Sequence, residues 1–143
     1  MNALMRSLDN AALKSQTFSW ALLRILSSAM FMTHGYAKLF GENPQTMFGG
    51  MDFFGINLGI NMLWIAAIIE LFGGALLVLG VFTRPLALLA AILMVMAYLS
   101  AHAAWFPTLN RGELAAMYFM VYLAIFAKGA GPISLDAKLF GKG

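Results

Sequence analysis

Residues 58–82 have the sequence LGINMLWIAAIIELFGGALLVLGVF, which is apolar over almost its whole length. Only one of these 25 residues, Glu70, is ionisable. A helix needs about 20 predominantly apolar residues to cross the hydrocarbon core of a bilayer. The stretch therefore predicts a membrane-spanning helix with one acidic side chain near its middle.

Three further stretches have the same character and are also expected to span as helices: residues 18–40, 85–105 and 113–128. The last has only 14 uncharged residues, Leu114 to Ala127, so Glu113 and Lys128 are expected near the two interfaces. All four prolines fall at predicted helix ends or in the links, where a missing N–H group costs least. We expect an all-α protein, an up-down four-helix membrane bundle that forms one domain over residues 1–143.

The composition of the chain agrees with a lipid environment. Of its 143 residues, 62% are hydrophobic and 10% are charged, against roughly 45–50% and 25% in soluble domains. The basic residues behind the net charge of +3 flank apolar stretches and form no patch suited to nucleic acid. The chain has no cysteine, which excludes thiol redox chemistry by this chain alone. The expected partner is therefore the lipid bilayer and not nucleic acid.

The first 17 residues are too polar to span a membrane. Leu4, Met5, Leu8 and Ala12 recur there at helical spacing, which predicts an interfacial helix on the membrane surface. A cleaved signal peptide is the alternative. It is disfavoured because the next stretch contains Arg24 and has no clear cleavage site.

The lysines and arginines in the loops and near the ends of the spans predict the orientation. Two of them fall on one side of the membrane, Lys38 and Arg111, and six fall on the other: Arg6, Lys14, Arg84, Lys128, Lys138 and Lys142. Basic residues are enriched in cytoplasmic segments. Both termini are therefore expected in the cytoplasm, with residues 129–143 as a cytoplasmic tail, in a bacterial inner (plasma) membrane that the chain crosses several times.

Ionisable side chains inside a membrane are costly, so those that occur usually pair or serve a function. In the first span Arg24, Ser27, Phe31, His34 and Lys38 recur at steps of three and four, so they share one face. Arg24 and Lys38 could alternatively extend to the interfaces.

Glu70 lies on a glycine-rich face of the second span. Its carboxyl group has two interpretations. One is a buried polar pair with Arg24, which is the preferred one, and the other is a proton-linked carboxylate beside a bound ligand.

His34 and His102 lie about equally far along two parallel spans, since each follows its span's start by roughly 16 or 17 residues at 1.5 Å per residue. This depth predicts a ligand-binding pocket in the outer leaflet, formed by His34, Lys38, Tyr98, His102, Trp105 and Glu113. The alternative is that each side chain makes only a structural hydrogen bond. Haem between the two histidines is not expected, because no other ligand signal is present.

Several short motifs resemble the DoxX family. Residues 34–40, HGYAKLF, are similar to its "HG-x-x-K-L-F" sequence. Residues 70–80 with Thr83-Arg84 are similar to "E-x-x-G-G…L-G…T-R", and Gly112-Glu113 loosely matches the start of its fourth helix. Residues 131–136, GPISLD, are similar to its "GP…SLD" ending. The resemblance covers about residues 18–140, and its specificity comes from the order and spacing of these motifs.

The resemblance implies a four-helix inner-membrane protein. It also implies a link to quinone-dependent oxidoreductases, including those of thiosulfate oxidation, or to complexes for oxidant detoxification. Thiol chemistry proposed for some relatives does not apply to a chain without cysteine, and no metal, flavin or nucleotide motif is present.

The leading functional hypothesis is a quinone-linked redox subunit or membrane anchor in an oxidoreductase or detoxification complex. His34, His102 and Tyr98 would supply hydrogen bonds to the ring, while Phe31, Met117, Trp105 and Phe106 would supply apolar walls. The alternatives are a non-enzymatic scaffold and a small-solute or proton pathway. A redox partner protein and a homo-oligomer are both compatible with the sequence, which does not decide whether the chain is itself catalytic.

Overall fold

The computed structural model describes residues 2–49, 56 and 59–141. Its helices, in chain order, are α1 (Ala3–Phe40), α2 (Met62–Ile68), α3 (Gly74–Leu79), α4 (Thr83–Ala101), α5 (Glu113–Lys128) and α6 (Leu135–Phe140). A π-helical turn, Ile69–Gly73, joins α2 to α3, and a 3-10 turn, Pro107–Asn110, lies between α4 and α5. The described ranges contain no β-strand, and an isolated bridge pairs Phe48 with Ile60. The predicted all-α class is confirmed.

The helices pack as two pairs. The α1 helix lies along the continuous helix formed by α2, the π turn and α3, while α4 lies along α5. Contact between α1 and α5 is sparse. The buried core is built around the α4–α5 pair, with Phe31 of α1 and Leu77 of α3 inserted against it; its other members are Ala87, Ala90, Ala91, Met94, Tyr118, Tyr122 and Ile125.

The outer surface of the helices differs from that of a soluble protein. Large apolar side chains are exposed along the outer faces of the long helices, among them Phe18, Leu22, Leu26, Met30, Phe72, Leu76, Leu88, Ile92, Leu99, Met117 and Met120. Arg24 and Glu70, by contrast, are 1% and 3% exposed. Such an outer surface suits lipid, in which apolar side chains face the solvent and charged groups are paired inside.

In the part of the chain that the structure describes, two helical stretches are long and apolar enough to cross a membrane. They are Met62–Leu79, with a mean hydropathy of 2.3, and Thr83–Ala101, with a mean hydropathy of 1.8. The α5 helix has the bounds expected from the sequence, Glu113–Lys128, but at 16 residues it is shorter than a usual span.

The first helix differs from the expectation of a separate interfacial segment. The α1 helix continues without a break from Ala3 to Phe40, and the side chains of residues 2–19 are all exposed. At 1.5 Å per residue its 38 residues extend for about 57 Å. Residues 3–34 contain neither proline nor glycine, so nothing in the local sequence ends the helix near Thr17 and Phe18.

Two predicted helix ends are also shifted. The second span begins at Met62, where the Asn61 side chain accepts a hydrogen bond from the main-chain N–H of Leu63. Leu58, its predicted first residue, lies outside the described residues. The α4 helix ends at Ala101 and not at Trp105, so Trp105 lies in the following loop with 90% of its surface exposed.

The predicted tail folds back onto the helix ends. Asp136, in α6, accepts hydrogen bonds at 2.9 Å from the main-chain N–H groups of Phe82 and Thr83, which open α4. Arg84 donates to the main-chain oxygens of Phe126 and Ala127 at the end of α5. Both contacts satisfy helix termini that would otherwise lack partners. The residues similar to the "T-R" and "SLD" motifs therefore hold this end of the fold together.

Candidate functional site

Glu70 lies on the π turn in the middle of the second span. Its side chain is 4% exposed, and both carboxylate oxygens lie 2.5 Å from the ammonium nitrogen of Lys38 in α1. The Lys38 side chain is 33% exposed. Single π turns inside α-helices occur frequently at functional sites. The pair gives this buried carboxylate a counter-charge.

The predicted pair of Arg24 and Glu70 does not form. Arg24 instead donates four hydrogen bonds to main-chain oxygens: Leu77, Val78, Ala130 and Ile133, at 2.6–3.1 Å. Arg24 and Lys38 are 14 residues apart on α1, which separates them by about 21 Å along the helix. Arg24 therefore stabilises the end of α3 and the chain before α6, whereas Glu70 lies near the other end of α1.

Gly35 determines which residue of α1 faces Glu70. An ideal Cβ at Gly35 would lie 2.5 Å from the Leu71 nitrogen and 2.6 Å from the Ala67 oxygen. The α1 helix thus approaches the backbone of the π turn more closely than any side chain would permit. Lys38 lies three residues further along the same face. This close approach brings Lys38, and not Arg24, to the level of Glu70.

A cavity of about 340 Å³ opens next to this ion pair, where α1 and α5 make little contact. Its polar lining is formed by residues of α1, the π turn, α5 and the loops around α4: His34, Lys38, Glu70, His102, Arg111 and Tyr118. Its apolar lining comes from Phe31, Met94, Ala97, Leu114 and Ala115. The volume lies within the usual range for small-molecule sites.

The structure brings together three of the six predicted pocket residues, namely His34, Lys38 and His102. Tyr98 and Trp105 instead line a separate, mostly apolar cavity of about 320 Å³ with Phe119. The Tyr98 hydroxyl donates to the main-chain oxygen of Ala104 at 2.6 Å. The early end of α4 explains the position of Trp105, because the chain leaves the helix before reaching this residue.

Glu113 and two of the predicted wall residues also lie away from the cavity. Glu113 is the first residue of α5 and is exposed, while Met117 is 56% exposed and Phe106 is 54% exposed. In the part of the chain that the structure describes, none of the three lines the cavity beside Glu70. Phe31 does line it, as predicted.

The two histidines are held differently. His102 follows the last residue of α4, and its ring nitrogen Nδ1 lies 2.9 Å from the main-chain oxygen of Asn110. His34 is exposed, and its ring packs edge-on against the ring of Tyr118, with 6.0 Å between the centroids. His102 is therefore oriented by a hydrogen bond and His34 by an aromatic contact.

Tyr118 was not predicted as a site residue. It is 6% exposed and lines the cavity, and its hydroxyl has no hydrogen-bond partner among the described residues. Buried hydroxyl groups in proteins almost always have a partner. A tyrosine inside an apolar span was the available signal, since its hydroxyl needs a partner in the membrane.

Arg111 was predicted only as a topology signal, yet it also lines the cavity. Its backbone is in the left-handed region, at φ 54°, which a residue other than glycine rarely adopts. The next residue, Gly112, packs closely on the preceding helix: an ideal Cβ there would lie 2.5 Å from the Tyr98 ring and 3.0 Å from Cβ of His102. This tight turn holds Arg111 and His102 at the same end of the cavity.

The described residues contain no group of three or more histidine, cysteine, aspartate or glutamate side chains arranged to hold a metal ion. The cavity lining offers hydrogen-bonding groups and charges. Lys38 and Arg111 are cationic, and Glu70 is the acidic side chain of the lining.

Comparisons with known proteins agree with the motifs. The family model of DoxX matches residues 19–103. A Haemophilus influenzae protein described as uncharacterized is 40% identical over 134 residues, which cover 90% of this chain and 96% of that protein. A Bacillus subtilis protein named "putative oxidoreductase CatD" is 29% identical over 128 residues, which cover 89% of this chain and 91% of that protein. No solved structure matches the chain. The chain belongs to the DoxX family of membrane proteins.

Proposed function

We propose that this protein binds a quinone in the cavity beside Glu70 and acts as a quinone-linked redox subunit, or membrane anchor, of an oxidoreductase or oxidant-detoxification complex. The observation that carries the proposal is the Tyr118 hydroxyl, which is buried in the cavity wall and has no hydrogen-bond partner among the described residues. A ligand oxygen in the cavity would supply that partner.

The lining suits a ring that carries oxygen atoms. Phe31, Met94 and Leu114 offer apolar surface, and His34, His102 and Tyr118 offer hydrogen-bonding groups around the same space. Ligand sites commonly combine apolar walls with a few such polar groups.

Redox function is supported by the name of the Bacillus subtilis relative, "putative oxidoreductase CatD", whose similarity extends over most of both chains. In our proposal this chain binds the quinone, and a redox partner protein exchanges electrons with it. The role of this chain is then to recognise and orient the quinone ring, and the partner carries out the electron transfer.

The proposal includes a membrane arrangement. Four segments cross a bacterial inner (plasma) membrane: the second half of α1, the helix from Met62 to Leu79, α4 and α5. Support comes from the exposed apolar faces and from the six-to-two distribution of basic residues. Both termini then lie in the cytoplasm, and the cavity faces the outer leaflet. The exposed, amphipathic first half of α1 lies at the cytoplasmic surface of the membrane.

Binding of decylubiquinone to the detergent-solubilised full chain tests the function. We expect saturable binding by native mass spectrometry and by calorimetric titration. Tyr118→Phe should weaken it by about tenfold, as the loss of one buried hydrogen bond corresponds to roughly 1.4 kcal/mol. Tyr36→Phe is the matched control, because Tyr36 is 59% exposed on α1 and contacts Phe40.

The scaffold alternative gives a different result in the same experiment. It expects no saturable binding to the unmodified chain, and then Tyr118→Phe would alter stability alone. Equal affinity of the unmodified chain and Tyr118→Phe would separate quinone binding from this cavity and contradict the proposed site.

A further inference from the structure

We infer from the orientation of His102 that the cavity prefers the reduced, hydroxylated form of its ring ligand, a quinol, over the oxidised quinone. The inference rests on the proposed quinone-binding function and adds the redox form that the site recognises. It comes from the hydrogen bond between His102 and Asn110, which lies outside the cavity. This bond determines whether the imidazole donates or accepts a hydrogen bond inside the cavity.

The hydrogen bond fixes the tautomer of His102. Its Nδ1 atom lies 2.9 Å from the main-chain oxygen of Asn110. A carbonyl oxygen can only accept a hydrogen bond, so Nδ1 must carry the proton. In the neutral imidazole the other nitrogen, Nε2, is then an acceptor. His102 lines the cavity and therefore presents an acceptor there.

The position of the imidazole is restrained by its own backbone. The main-chain N–H of His102 donates to the Tyr98 oxygen at 2.8 Å, which closes the last turn of α4. On the other side Gly112 packs so closely that its ideal Cβ would lie 3.0 Å from Cβ of His102. The backbone of His102 is thus held in place. A half-turn of its ring about the Cβ–Cγ bond would move Nδ1 away from Asn110 and break that hydrogen bond.

The two forms of the ligand differ in what they offer to such an acceptor. The oxygens of a quinone are carbonyls and only accept hydrogen bonds, whereas each hydroxyl of a quinol also donates one. A quinol hydroxyl can donate to Nε2 of His102, but a quinone carbonyl would face it lone pair to lone pair. An acceptor buried without a donor is unfavourable.

The other polar groups of the cavity do not oppose this preference. The Tyr118 hydroxyl both donates and accepts, so it can bond to either form. Lys38 and Arg111 only donate, and a quinol oxygen accepts from them as a quinone oxygen does. Glu70 also accepts hydrogen bonds, but both of its oxygens bond to Lys38, and His34 is held by an aromatic contact that leaves either tautomer open. His102 is therefore the lining residue whose acceptor is fixed, and it acts as a specificity-determining residue.

Separate titrations of the full-length protein with decylubiquinol and decylubiquinone, under oxygen-free conditions, test the inference. We expect the quinol to bind about tenfold more tightly, the factor that corresponds to one buried hydrogen bond. His102→Phe should abolish this ratio. His34→Phe removes the other histidine of the same cavity and should keep the ratio even where it changes the affinity for both forms.

The possible results separate the inference from the function on which it rests. Equal affinities for the two forms, or tighter binding of the quinone, would overturn the inference and leave quinone binding intact. Failure of both forms to bind would remove the proposed function and the inference together. If His102→Phe does not fold, the ratio measured on the unmodified protein decides.

Discussion

Lys38 and Glu70 form a bidentate ion pair, in which the lysine nitrogen lies 2.5 Å from both carboxylate oxygens. The pair joins α1 to the π turn and separates the cavity that contains His34 and His102 from a smaller one of about 80 Å³, lined in part by Leu63 and Ser100. It is thus at once a structural contact between two helices and a wall of the proposed binding site.

Removal of one partner of this pair should destabilise the protein more than removal of both. We expect Lys38→Met to lower the free energy of unfolding by about 1–3 kcal/mol, because Glu70 is left buried without a counter-charge. The double variant Lys38→Met with Glu70→Gln should regain part of this loss. Unfolding in mixed detergent micelles measures the three variants. A double variant with the full sum of the two single losses would show that the pair is not coupled.

The approach of α1 to the π turn makes Gly35 intolerant of a side chain. Gly35→Ala places a Cβ atom 2.5 Å from a backbone nitrogen, so the helices must separate. We expect a loss of about 1–3 kcal/mol, the range typical of overpacking. Gly73→Ala is the matched control, since the nearest atom to its ideal Cβ lies 3.9 Å away. Equal stability of the two variants in the same unfolding assay would contradict the packing described here.

Arg24 should act independently of Glu70. Arg24→Lys loses the planar donor group that reaches four carbonyl oxygens, so lysine should not restore the stability lost in Arg24→Ala. In a double-mutant cycle, Arg24→Ala and Glu70→Gln should be additive within about 0.5 kcal/mol, as expected for distant sites. A coupling energy well above that value would restore the direct pair predicted from the sequence.

The sequence predicted the identity of the buried polar residues better than their partners. Arg24 and Glu70 are both buried, as the polar face of the first span and the glycine-rich face of the second span indicated. The polar face of the first span carries two basic residues, Arg24 and Lys38. Which of them contacts Glu70 depends on how far α1 is shifted along the helix that contains the π turn. Periodicity carries no information on that shift. The close contact at Gly35 sets it, and a lone glycine beside a histidine gave only a weak signal.

The structure brings together three of the six predicted pocket residues. The depth argument placed His34 and His102 at one level, and the structure has them in one cavity with Lys38. Trp105 was assigned by extending the helical face of α4, but that helix ends at Ala101 before any proline or glycine marks its end. Arg111 enters through a left-handed turn, a backbone feature that the residue type did not suggest.

The proposed orientation in the membrane can be tested without background labelling, because the chain has no cysteine. We expect Thr108→Cys, between α4 and α5, to react with a membrane-impermeant maleimide in intact cells. Ser15→Cys, in the exposed first half of α1, should react only after the cells are permeabilised. Reversed labelling of the two positions would invert the topology and move the cavity to the inner leaflet.

Photoaffinity labelling with an azido-quinone, followed by mass spectrometry of the labelled peptides, tests whether a quinone occupies the cavity beside Glu70. We expect saturable labelling of the α1 segment around His34 and of the α5 segment around Tyr118, which line one cavity from two helices. An excess of unlabelled decylubiquinone should suppress both signals together. Labelling that does not saturate, or that falls only on the outer apolar faces of the helices, would contradict a quinone site beside Glu70.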